Sequence, residues 1–210
     1  MIILDLESSG GPAERVGLWQ IGAIDLDTMD EFFSESRIDE EDLITQDSLK
    51  IIGKTEKELR DSSKQTTKEM LISFFKWIEK RKTKNFLSQC PQVLDFPILR
   101  MKAEKYNLKF PIAYRTFDLH SIAQTIYYQI NKKFLYVGDS SDMGLANIQN
   151  FCGMKDTRVH IKEGKVTQDG TPHNALEDAK IQAECFSRLV YGKSLLQEYA
   201  QFPIPDYLIK

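Results

Sequence analysis

Asp5-Leu6-Glu7 near the start of the chain, Asp95 in its middle, and His173 with Asp178 toward its end are the side chains that could do chemistry together. Four carboxylates and an imidazole brought to one place make the ligand set that two-metal phosphodiester cleavage requires. Two divalent cations about 3.5–4 Å apart repel strongly, so several anionic oxygens, one of them shared, must converge to hold the pair. Hard oxygen donors, no cysteine and one well-placed histidine favour Mg²⁺ or Mn²⁺ over zinc. An imidazole of unperturbed pKa about 6.5 is mostly neutral at working pH and can take a proton from an attacking water.

Each piece alone has a plainer reading. Asp-x-Glu after a strand recurs by chance, a histidine ahead of a helix is often a cap or a surface residue, and a lone Asp95 would more often cap the helix beginning near Phe96. His120 and His160 read as surface or packing residues, and Trp19 and the Phe74-Phe75 pair read more often as core than as base-stacking platforms, although Trp19 lies near the site strand and could do either. Arg15, Lys132, Lys133 and Arg158 read as solvated, although any of them lining a cleft would grip phosphates.

The elements that must position these groups alternate between strand and helix patterns. Ile2-Ile3-Leu4 is a buried strand, and Ser8-Ser9-Gly10-Gly11-Pro12 breaks it. Strand side chains alternate, so Asp5 and Glu7 project from one face while Leu6 points the other way. Leu18 to Leu26 and Glu31 to Ser36 predict two further strands joined by the turn 27–30, which makes the first three strands consecutive and antiparallel. The polar segment from Arg37 to Lys68 predicts a surface loop with short helical turns. Met70, Leu71, Phe74, Phe75 and Ile78 recur at helical spacing behind a Thr66 or Thr67 cap.

Asn85 to Ser88 then reads as a short buried strand ahead of a helix with Pro97 in its first turn. Asp95 falls at that junction, where open α/β sheets place their ligand sites. A strand at Arg115 to Leu119, a helix through Ile122, Ile126 and Tyr127, and a short helix from Gly144 to Phe151 follow. A hairpin over 158–166, turning at Glu163-Gly164, precedes a last helix from about Asn174 to Tyr191. Ala175, Ala179 and Ala183 would let that helix approach the sheet closely.

With 210 residues, 41% hydrophobic and 28% charged, the chain is long enough to bury one full core. A net charge of −3 excludes an overall basic coat protein, so a polyanion would have to be met by local positive patches and bound cations. Three scattered cysteines argue against a disulfide framework and against a cysteine zinc site. The apolar opening is too short for a signal-peptide core, and no apolar stretch reaches 18 residues. These features predict a cytoplasmic protein with no membrane contact.

Asp5-x-Glu7, Asp95 and His173-x4-Asp178 resemble the three motifs of the DEDDh (DnaQ-like, RNase T-like) 3′-to-5′ exonucleases, over roughly residues 1 to 190. His173 to Ala179, HNALEDA, is the most specific stretch. Ile21-Gly22-Ala23, Gly53-Lys54-Thr55 and Thr116-Phe117-Asp118 resemble further landmarks of that family. The resemblance implies an α/β, ribonuclease-H-like fold with a mixed five-stranded sheet flanked by helices, an exonuclease domain over 1–191 and a C-terminal extension over 192–210.

It implies two Mg²⁺ ions, for which Mn²⁺ substitutes, held by Asp5, Glu7, Asp95 and Asp178. Asp5 would bridge both ions, Glu7 and Asp178 would complete the first, Asp95 would act through water, and His173 would be the general base. Leu6, Ser8, Ser9, Gly10, Trp19 and Gln20 are the implied substrate-binding set. The substrate would be nucleic acid with a free 3′ end, single-stranded or frayed, and the product a nucleoside 5′-monophosphate.

A second copy of the chain or a polymerase is the protein partner such a domain would take, with the 158–166 hairpin as a dimer contact or flap. The competing readings are a proofreading subunit and a non-catalytic nucleic-acid-binding module. Two positions depart from the family pattern. Gln20 stands where Glu commonly precedes Ile-Gly, and SQCPQVLD, residues 88–95, lacks the usual Asn and Phe before the acid.

Overall fold

The structure, a computed structural model, describes residues 1–162 and 164–209. Its centre is a five-stranded mixed sheet in the order β3-β2-β1-β4-β5. Strands β1 (Ile2–Ser8), β2 (Leu18–Asp25) and β3 (Asp30–Glu35) form the antiparallel meander. Strands β4 (Phe86–Ser88) and β5 (Phe117–Asp118) then pair in parallel beside β1. The meander turns tightly because Asp25 accepts hydrogen bonds from the Asp27 amide and the Thr28 hydroxyl, fixing the corner between β2 and β3.

Alternation along β1 divides the interior into two cores. Ile2 and Leu4 join Phe74, Phe86 and Leu99 on one face, while Ile3 joins Leu119, Ala179 and Ala183 on the other. The first face is covered by α3 (Thr67–Glu79) and α4 (Asp95–Lys105). Thr66 and Glu69 close a reciprocal capping box that satisfies the first amides of α3. The second face carries α5 (Leu119–Asn131), α6 (Leu145–Phe151) and α7 (Ala175–Tyr191).

Several expectations change. The segment 37–68 carries the expected short helical turns, α1 (Gln46–Ile52) and α2 (Glu56–Leu59), but it is not purely surface: Ile38, Ile52 and Leu59 form a third core with Trp19. Its apolar residues are too widely spaced to show a period. The strand expected at 115–119 is only Phe117–Asp118, because Asp118 caps α5 by accepting from the His120 and Ser121 amides. A hairpin of β6 (Tyr136–Val137) and β7 (Ser140–Ser141) was not anticipated, whereas β8 (His160–Lys162) and β9 (Lys165–Gln168) form the later hairpin. Glu163, expected in its turn, lies outside the described residues, as does the terminal Lys210.

Residues 192–209 lie against α7 and α6. Leu195, Leu196, Tyr199, Phe202, Ile204 and Leu208 belong to the second core. Among the described residues, no helix is long and apolar enough to cross a membrane.

Candidate active site

Asp5 and Glu7 leave β1 on the face covered by α7, and β2 is what lets that helix close over them. Gly22 pairs with Asp5 across the sheet. A Cβ built on Gly22 would stand 2.1 Å from the backbone carbon of Ala175 and the backbone nitrogen of Leu176, so α7 seats its first turn in the space of a missing side chain. Gln20 pins the same turn: its side-chain carbonyl accepts from the Ala175 amide at 2.7 Å while its amide donates to Glu35 at 3.0 Å. Asn174 caps α7 through the Leu176 and Glu177 amides. Neither His173 nor Asp178 is therefore the cap, and both are left to face the sheet's acids.

His173 Nδ1 lies 3.4 Å from Asp178 Oδ2, and its Nε2 is 3.1 Å from the Val159 carbonyl. Donation of Nε2–H to Val159 leaves the Nδ1 lone pair facing a carboxylate oxygen, a pairing that calls for a proton or a cation between them. Ligand atoms of Glu7, His173 and Asp178 all lie within 4.8 Å of one another. The other Asp178 oxygen is buried and has no hydrogen bond, although Arg158 Nη1 lies 3.1 Å away. Gln182, one helical turn beyond Asp178, donates to Asp5 Oδ1 at 2.7 Å. Asp95 begins α4 without capping it; its carboxylate instead accepts from the buried Ser88 hydroxyl.

The electrostatics record this convergence. Burial raises Asp5 well above the usual aspartate range, and repulsion from Asp178, Glu7 and Asp95 adds to it. Burial and the Asp178 charge push Glu7 up to about 8, and burial takes Asp95 to about 7 against the Ser88 hydrogen bond. Asp178 is also raised by burial, in spite of Arg158 and His173. His173 is lowered by burial against the attraction of Asp178, which keeps the ring neutral near pH 7.

Arg158 is the counter-charge built into this group. Burial would raise its partner Asp156, yet the Arg158 hydrogen bonds and charge hold Asp156 down at about 2. A set of buried oxygens with raised affinity for protons, one of them without a hydrogen bond, fits a hard divalent cation.

Of the five residues expected to do chemistry, Glu7, His173 and Asp178 are within reach of one another, Asp5 is tied to α7 through Gln182, and Asp95 acts on Asp5 and Glu7 through its charge. Of the implied substrate contacts, Ser8, Gly10 and Leu6, the last packed against the first core, keep partial exposure, while the side chains of the other three are engaged elsewhere. Ser9 is buried and braces its own loop, donating to the Leu43 carbonyl and accepting from the Gly17 amide. Trp19 is buried in the third core, and Gln20 is buried with both ends of its amide committed. Gln182 was missed, although its i+4 spacing from Asp178 is a signal for it. Beside His173 opens a cleft of about 740 Å³ whose lining includes Asn147, Asn150, Lys155, Arg158 and His160.

No protein-family profile and no curated protein sequence matches the chain. Solved structures do. The nuclease domain of 3′hExo, a DEDDh family member solved bound to rAMP, superposes with a TM-score of 0.60 at 19% identity, covering 98% of this chain and 95% of that one. E. coli exonuclease I, in a zinc-bound complex with single-stranded DNA, gives a TM-score of 0.67 at 14% identity over 91% of this chain. Cell-death related nuclease 4 gives 0.64 at 14% identity over 92%. The chain spans 40% of the exonuclease I chain and 64% of the cell-death nuclease. The fold of this protein is the ribonuclease-H-like fold shared by DEDDh exonuclease domains such as that of 3′hExo.

Proposed function

We propose that this protein is a metal-dependent 3′-to-5′ exonuclease that releases nucleoside 5′-monophosphates from DNA or RNA. The observation that carries the reading is that ligand atoms of Glu7, His173 and Asp178 lie within 4.8 Å of one another, with Asp5 buried and repelled by Asp178, Glu7 and Asp95. Two Mg²⁺ or Mn²⁺ ions held there would neutralise the phosphodiester and lower the pKa of the attacking water. Asp5, oriented by Gln182, together with Glu7, Asp178 and the Ser88-held Asp95, would hold these ions.

His173 accepts the proton of the attacking water at Nδ1, the ring nitrogen left free when Nε2–H is held by Val159. Burial favours that role by keeping the imidazole unprotonated before the step. Ser8 and Gly10, which follow Glu7, would meet the terminal nucleotide, whereas Leu6 packs against the first core. Neighbouring folds support a nucleic-acid substrate: exonuclease I is solved with single-stranded DNA and 3′hExo with rAMP.

The test is a set of 5′-labelled DNA and RNA oligomers with single-stranded, paired and overhanging 3′ ends, incubated with Mg²⁺, Mn²⁺ or EDTA. The expected result is a ladder shortening from the 3′ end that EDTA abolishes. Full-length substrate in every metal lane would reject the reading.

A further inference from the structure

The β6–β7 hairpin and the end of α5 hold three aromatic rings in water. Tyr128 and Phe134 stack with centroids 4.8 Å apart, and Tyr136 meets Phe134 edge-on at 6.2 Å. They are 45%, 46% and 59% exposed, so the cluster is not part of either core. Lys132 and Lys133, also exposed, sit in the link between Tyr128 and Phe134.

The rings have a firm base. Gln124 on α5 donates to the Leu135 carbonyl and the Ser141 hydroxyl and accepts from the Leu135 amide, and His120 contacts Ser141 and the Met143 carbonyl. Two-stranded hairpins are marginal by themselves, and these bonds tie this one to a buried helix face.

The hairpin also rises from the rim of the site. Asp142, at its foot, bonds back to Leu135 and lines the same cleft as Arg158, His160 and His173. Gln89, in the loop that leads to Asp95, donates to the neighbouring Met143 carbonyl. Exposed aromatic faces with lysines beside them in sequence, on a hairpin whose foot lines the cleft, match what single strands require: π-faces for bases and positive charge for the backbone. A protein partner seated by apolar contact would have no use for the two lysines.

We propose that the Tyr128–Phe134–Tyr136 cluster is a stacking platform for single-stranded nucleic acid, holding nucleotides on the 5′ side of the end engaged by the carboxylates. It deepens the exonuclease reading and rests on it. A chain long enough to reach the platform binds more tightly than one that fills the carboxylate pocket alone.

The experiment measures fluorescence anisotropy of 5′-fluorescein oligothymidylate and oligouridylate, three or twelve nucleotides long, in EDTA at about 50 mM salt because such binding weakens with salt. The full chain is compared with Phe134→Ser/Tyr136→Ser, Phe134→Trp and Phe134→Leu, each checked for an unchanged melting curve. The expected result is tighter binding of the twelve-mers by the natural chain, an advantage reduced about tenfold or more in the double variant. Phe134→Trp retains that advantage and Phe134→Leu loses it.

The two sugars serve as arms that separate DNA from RNA, and a length advantage on either supports the platform. An advantage that survives in the double variant, or that Leu preserves as well as Trp does, overturns the platform and returns the surface to a protein partner. Metal-dependent shortening without any length advantage sinks the platform alone. Absence of both binding and shortening sinks the exonuclease reading with it.

Discussion

At the scale of single residues, the site is a concentration of negative charge that the fold holds at a cost, and that cost is measurable. Glu7 at about 8 and Asp95 at about 7 keep protons in the folded chain that the unfolded chain releases near pH 4 to 4.5. Between roughly pH 5 and 8 the folded state therefore binds more protons, and stability falls as pH rises, by up to about 1.4 kcal/mol per pH unit for each group. Asp156, held at about 2, contributes only below about pH 4 and leaves this window untouched. Urea unfolding in EDTA should show the decline, and Mg²⁺ should oppose it most at the alkaline end; a flat profile would contradict the crowding of these acids. Asp178→Asn should remove cleavage, by about a thousandfold or more if the ion it helps hold carries the reaction. In EDTA the same change should leave the melting temperature equal or higher, because a repelling charge is gone. His173→Gln should slow turnover by about 10²- to 10⁴-fold with substrate binding kept. In the natural chain the acid limb of the rate profile should fall below about pH 6.5, since burial lowers the ring's affinity for protons.

At the scale of elements, the site depends on how closely α7 approaches β2. Gly22→Ala puts a methyl group where the backbone of Ala175 and Leu176 already lies, and backbone cannot swing aside as a side-chain tip can. The first turn of α7 must lift, carrying Asp178 away from Asp5. The expected loss is about 1–3 kcal/mol of stability in denaturant melts together with most of the activity; a fully active, equally stable variant would show that the seat is not used. This contact also marks how far the sequence could be read. Alternation displayed Asp5 and Glu7 on one face, and the 3.6-residue period of α3 and α7 was visible because each buries a long apolar stripe. The β6–β7 hairpin was not legible because two-residue strands with exposed side chains leave no periodic trace. Trp19 and Gln20 entered the implied site set through their nearness to the site strand and the family resemblance, although Trp19 by itself reads more often as core. Their burial depends on α1, α2 and α7 arriving from 26 or more positions away, which no local pattern displays. Arg158 likewise reads as an ordinary surface cation until Asp156 and Asp178 are seen on either side of it.

At the scale of the whole molecule, residues 192–209 are tied to the ribonuclease-H-like body through a fully buried ion pair. Arg188 Nε is 2.6 Å from Glu184 Oε1, and both side chains are inaccessible to water. Nη1 donates to the Cys152 carbonyl and Nη2 to the Tyr199 carbonyl, and the other Glu184 oxygen accepts from the Leu195 and Leu196 amides. One pair thus joins α7, the end of α6 and the returning tail. Charges taken out of water are tolerable only while each is fully partnered, so removing one partner costs more than removing both. Arg188→Met should lower unfolding free energy by about 3–5 kcal/mol, leaving the Glu184 charge buried without its cation. Glu184→Met combined with Arg188→Met should recover a measurable part of that loss, since two apolar side chains can fill the space without an orphan charge. A double-mutant cycle from chemical denaturation, with proteolysis at the tail as the second readout, checks this. Single and double variants that lose stability additively, with the tail still protected, would mean that the packing of Leu196, Tyr199 and Leu208 holds residues 192–209 without help from the pair.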